Sequence, residues 1–154
     1  MMNLPANIQI VSDRDIFSTQ SQTLVRPSTC NGSLPDDGFK QAYPEMIKAY
    51  VTACKLKEVR LGIMWFYREP STTFSRKTLI CFPIRKTRSE LTSISILELG
   101  LKDLVKTYKD WNIKSLAIPL LARKGISQHS EISMLNLMIA YLKKMSDVKI
   151  ELYL

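Results

Sequence analysis

The chain has 154 residues, of which 45% are hydrophobic and 23% charged, a length that suits one domain spanning 1–154 with its own core and a composition unlike disordered segments. A formal net charge of +8 gives a field that favours anionic partners such as nucleotides, nucleic acid or phosphorylated surfaces, and also serves solubility. Cys30, Cys54 and Cys81 show no CxxC or Cys/His spacing, no stretch approaches the roughly 18 apolar residues of a membrane span, and MMNLPANIQIV lacks signal-peptide patterning, so no disulfide scaffold, membrane span or secretion signal is expected and a reducing cytosol is.

In chain order, Ile8 to Val11 and Thr23 to Val25 are short apolar or β-branched runs that predict strands. PSTCNGSLPDDG, from Pro27 to Gly38, has the chemistry of a loop. The residues from Phe39 to Cys54 recur at steps of three and four, the spacing of a helix with one apolar stripe. Asp36 and Asp37 suit its N-terminal end, and Pro44 tightens or kinks its start. Leu61 to Arg68 and Thr78 to Phe82 predict a neighbouring strand pair, whose aromatic run Trp65, Phe66, Tyr67 reads as sheet core before it reads as a base-stacking platform. Ser93 to Trp111 carries a second helical stripe, Ser115 to Ile118 is a short buried strand, Ser130 is a plausible cap for a third helix, and Val148 to Leu154 closes the chain as a strand. The order β, β, α, β, β, α, β, α, β predicts a mixed sheet covered by helices on both faces.

Few catalytic motifs are present. His129 is the single histidine, which excludes a histidine metal cluster, and there is no Walker loop and no GxGxxG after a strand. Cys54 and Cys81 fall on apolar faces and read as core. No cofactor and no metal are expected.

FKQAYPEMIKAYVTACK, ICFPIRKTRSELTSISILELGLKDLV, and NIKSLAIPLL with the final VKIELYL resemble, in register, three segments of the macro domain family. The resemblance is closest to the branch whose members remove ADP-ribose from DNA and act as antitoxins to a DNA-modifying ADP-ribosyltransferase. It implies a three-layer α/β/α sandwich with a mixed central sheet, and four functional places. Asp15, followed by Ile16, matches the acidic residue that accepts the adenine amino group, although an Asp near a strand end is also a common cap. Around the distal ribose the family uses an Asn-rich turn and glycine amides; here Arg26 replaces the first Asn, Pro27 lacks an amide donor, the loop is shorter, and Asn31 with Gly32 is either a substitute contact or a simple turn. In the family's glycine-rich diphosphate loop this chain reads Ala122, Arg123, Lys124, Gly125, Ile126, so charge from Arg123 and Lys124 would replace an amide cradle, unless they are solvated surface residues. Where the DNA-deribosylating relatives carry a catalytic lysine, the register places Arg85, with Lys86 next to it and Arg88 nearby.

These substitutions lead to three expectations. One is a divergent macro domain that binds ADP-ribose or ADP-ribosylated DNA or protein with little or no glycohydrolase activity. The alternative is an interaction module that has lost the nucleotide and uses Arg85, Lys86, Arg88, Arg123 and Lys124 as a basic face for nucleic acid or an acidic protein. The third is a working glycohydrolase in which Lys86 or Asn31 fills the missing roles.

Overall fold

The computed structural model describes residues 3–33, 38–72, 76–122 and 131–154. Its strands are β1 (Ile8–Val11), β2 (Thr23–Thr29), β3 (Trp65–Arg68), β4 (Thr78–Arg85), β5 (Ser115–Pro119) and β6 (Lys149–Tyr153). They form one sheet in the order β1-β6-β5-β2-β4-β3, parallel throughout except for the antiparallel pair β3 and β4.

Alternation along each strand splits the core in two. Val25, Ile80, Phe82, Leu116, Ile118, Ile150 and Leu152 pack with α3 (Ile94–Thr107) and α4 (Glu131–Leu142). Leu24, Leu79, Cys81, Ala117 and Tyr153 pack with α1 (Phe39–Ala42) and α2 (Pro44–Lys55) on the other face. The result is the expected three-layer α/β/α arrangement with a mixed sheet. Among the described residues, no helix is long and apolar enough to cross a membrane.

The structure corrects several element boundaries, among them that of β4, which runs on past Phe82 to Arg85. β2 runs on through Arg26, Pro27, Ser28 and Thr29, so the loop begins at Cys30; strand pairing with β4 overrides the local turn chemistry. The strand expected from Leu61 begins only at Trp65, because Gly62 takes a left-handed φ of 74° and the chain turns until the amide of Met64 is held by Asp103 Oδ2 at 2.8 Å. The first long helix is broken at Tyr43; Pro44 becomes the first residue of α2, where a missing N–H costs no helical bond. Ser130, expected to cap the third helix, lies outside the described residues, as do Asp36 and Asp37.

The aromatic run is half-buried and packs against the two core clusters, Phe66 on one face and Trp65 and Tyr67 on the other. Trp65 packs edge-on against Tyr50 with centroids 5.2 Å apart, and Phe66, on the opposite face, stacks on Trp111 at 4.7 Å.

Candidate functional site

Because β1, β2, β4, β5 and β6 are parallel, the loops that leave their C-terminal ends gather at one edge of the sheet. β2 pairs with β5 only at Thr23–Leu116 and Leu24–Ala117, whereas it stays paired with β4 as far as Thr29–Arg85. The chain leaves β2 towards β4 and leaves β5 towards β6, so this junction is the topological switch point at which open α/β sheets place a ligand crevice. Pro27, which has no amide to donate, sits beyond the last β2–β5 pair.

Asp15 lies on the loop after β1. Its Oδ1 accepts the amide of Phe17 at 2.9 Å and so caps the short 3-10 turn Ile16–Ser18. The cap reading is therefore correct as local structure, and it leaves acceptor capacity on the exposed carboxylate. Ile16 is half-buried against the α1–α2 core.

Asn31 is exposed. Its Oδ1 accepts from the Ser33 amide at 2.9 Å and the Thr29 hydroxyl at 3.0 Å, the self-bonding of an Asx turn. Gly32 follows with φ 77°. Both residues build the turn that the sequence offered as one reading. The turn is anchored from behind: the Tyr50 hydroxyl donates to the Thr29 carbonyl, and burial pushes that phenol upward in pKa.

Arg26 is not a loop residue. It is 1% exposed, on the α1 face of β2, with its guanidinium carbon 5.6 Å from the Phe39 ring centroid and Nη1 donating to Ser28 Oγ at 3.5 Å. A cation has taken a place inside the protein where the resemblance implies a ribose-contacting Asn.

The ends of β2 and β4 are joined by two further rungs, Cys30 N to Arg85 O and Asn31 N to Lys86 O, each 3.1 Å. Just before them a bulge breaks the register, Ser28 pairing with Pro83 and Thr29 with Arg85, which re-aims side chains at a strand end. Arg85 turns its Nη1 onto the carbonyls of Arg88 at 3.5 Å and Glu90 at 3.4 Å. It braces its own loop. Lys86 is exposed and lines a cleft of about 500 Å³ together with Asn31, Cys30, Cys54, Lys57 and Arg60.

Sequence reasoning places Lys57 only at the C-terminal end of the first long helix and assigns neither Lys57 nor Arg60 to a site. The signal was the end of α2: the amides of Lys57 and Glu58 bond the carbonyls of Cys54 at 3.0 Å and Ala53 at 2.9 Å, a Schellman closure whose left-handed position is usually Gly but here is Lys57, with φ 59°.

Burial pushes the thiols of Cys30 and Cys54 up, which disfavours the thiolate that nucleophilic chemistry needs. Among the described residues there is no His/Cys/Asp/Glu group able to hold a metal ion. Arg123, Lys124, Gly125 and Ile126, the candidate diphosphate residues, and His129 lie outside the described residues.

No family model matches the chain. It is 33% identical over 108 residues to the DNA ADP-ribosyl glycohydrolase of Mycobacterium tuberculosis, a match that takes in 68% of this chain but only 30% of that protein's length. The solved macrodomain of Mycobacterium tuberculosis DarG superposes with a TM-score of 0.84 at 26% identity, covering 94% of this chain and 97% of that one. Thermosipho africanus DarTG, solved in complex with ADP-ribose, superposes with a TM-score of 0.87 at 24% identity, covering 99% of this chain and 42% of that one. The chain belongs to the macro domain family, in its DarG-type branch.

Proposed function

We propose that this macro domain binds ADP-ribose, free or attached to a macromolecule, at the edge where β1, β2, β4 and β5 end, and cleaves the glycosidic bond poorly or not at all. The ADP-ribose complex of Thermosipho africanus DarTG supports the ligand, and the exposed Asp15 carboxylate supports adenine recognition at the β1 side.

One observation carries the catalytic half. Arg85 stands where the resemblance implies the catalytic lysine, and its guanidinium is engaged with the carbonyls of Arg88 and Glu90. Guanidinium stays protonated, so it supplies neither a nucleophilic amine nor a base. The Asn31 side-chain oxygen is likewise engaged in its own turn.

The test is release of ADP-ribose from an ADP-ribosylated oligonucleotide, run beside a thermal melt with free ADP-ribose. The expected result is no release above the uncatalysed blank, together with a rise in Tm. Binding to the folded state alone stabilises it by about 2.7 kcal/mol at a hundredfold excess over Kd. Arg85→Lys should gain measurable release. Rapid release by the unaltered chain, abolished in Lys86→Ala, would instead establish a working glycohydrolase; absence of any Tm shift would establish a module that has lost the nucleotide.

A further inference from the structure

The cleft beside Asn31 has a composition that the proposed nucleotide crevice does not explain. Lys57, Arg60 and Lys86 line it over an apolar floor of Cys54, Val59 and Leu61, and among the described residues no carboxylate lines it. Two described acids lie nearby but outside that lining. Glu58 lines a separate groove between α2 and β3, and Glu90, whose carbonyl is held by Arg85, is near enough to Cys30 to raise its thiol but is not in the lining.

Lys57 adds an independent observation. A side-chain-bearing residue in the left-handed region costs about 1 kcal/mol relative to glycine, and the Schellman geometry at Lys57, φ 59°, is one that glycine fills without strain. A strained residue that brings a charge to a cleft is a reason to look for a ligand there.

The position of the cleft says which ligand. It adjoins Asn31 and Lys86, at the ends of the same two strands that border the proposed crevice. A macromolecule bearing the ADP-ribosyl group must therefore leave close by. Three cations over an apolar floor suit the alternating phosphates and bases of a single strand, and Arg60 can grip a phosphate with two parallel N–H bonds.

We propose that this cleft seats the polynucleotide strand that carries the ADP-ribosyl group, with Lys57 and Arg60 holding its backbone phosphates. The proposal rests on the nucleotide reading above, and the two can fail separately.

The experiment is fluorescence anisotropy with an unmodified, labelled single-stranded DNA of about 12 nucleotides, titrated at several salt concentrations, beside the thermal melt with ADP-ribose. The double variant Lys57→Gly/Arg60→Ala should bind the strand about tenfold more weakly at low salt, with the slope of log affinity against log salt shallower by roughly 1.4, or about 0.7 per cation removed. Its Tm shift with ADP-ribose should match that of the unaltered chain. Lys57→Gly alone should melt no lower than the unaltered chain, since it relieves the left-handed strain, so weaker binding in that variant reports the charge and not misfolding. Unchanged affinity and slope in the double variant, or no strand binding at low salt, would overturn the proposal. Equal displacement of the strand by a polyglutamate peptide would overturn it in favour of an acidic protein. Strand binding that depends on Lys57 and Arg60 without any ADP-ribose shift would refute the nucleotide reading while leaving the strand seat in place.

Discussion

Gly100 in α3 offers a test in which the sign of the effect is the prediction. A methyl group there would stand 2.2 Å from Phe82 Cε1, 2.3 Å from Phe82 Cζ and 3.2 Å from Met64 Cε. The first two distances lie far inside van der Waals contact, and Phe82 is fully buried in β4, so its ring has no solvent to move into. In an exposed helix, Gly→Ala stabilises by about 1 kcal/mol. Against that gain, overpacking of a well-filled core costs about 1–3 kcal/mol, and occasionally more. With overlap this deep the upper end applies, giving a net loss of about 2 kcal/mol, or a Tm lower by roughly 4–8 °C for a chain of this length. The assay is a thermal melt of Gly100→Ala beside Phe82→Leu and the double variant. The double variant should fall short of the sum of the two single losses, because a shorter side chain makes room for the methyl. Since Phe82 immediately precedes Pro83 and the bulge that aims Arg85 and Lys86, ADP-ribose affinity should fall with stability. A Gly100→Ala variant that melts at or above the unaltered chain would refute the close packing of α3 on β4.

Tyr50→Phe removes the donor to the buried Thr29 carbonyl; it should cost about 1–3 kcal/mol in urea unfolding and weaken ADP-ribose binding by loosening the turn at Asn31, whereas unchanged stability would show that the bond is dispensable. Thr92→Val replaces a buried hydroxyl that has no hydrogen-bond partner among the described residues with a methyl of similar size, so a Tm equal to or above that of the unaltered chain is expected and a clear fall would contradict the burial. The Tyr108 hydroxyl donates to Asp147 at 2.7 Å, a bond that raises the phenol from 10.0 to about 12 and lowers the carboxyl below 3.8. Its stabilisation is therefore complete between those ordinary values, is lost as pH falls below 3.8 through the depressed folded value, and is lost again as pH rises from 10.0 through about 12. The stability gap between the unaltered chain and Tyr108→Phe should be flat in the middle and close at both ends; a gap that widens in acid would contradict the pair.

Most of the fold was legible because hydrophobic period follows burial. The stripes in α2, α3 and α4 and the apolar runs of β1, β4, β5 and β6 each bury one face or both, and that pattern is written locally. Long-range effects were not. Pro27 and Ser28 have turn chemistry, and only pairing with β4 makes them strand. The burial of Arg26 beneath Phe39 depends on α1 folding back over β2, which no local pattern announces. At the site, the Asp15 cap and the Asn31 turn were among the readings that local chemistry allowed. The meeting of Lys57 and Arg60 with Lys86 was hidden, because α2 brings together residues remote in sequence. Arg85 was visible as a substitution, but its engagement with the carbonyls of Arg88 and Glu90 follows from the bulge and the loop's return.

The central claim is that the edge formed by β1, β2, β4 and β5 holds a nucleotide although its loops depart from the family pattern. Calorimetric titration of the chain with ADP-ribose tests it most directly. The account predicts saturable heat at a single site, weakened in Asp15→Ala; no heat at millimolar ADP-ribose would contradict it.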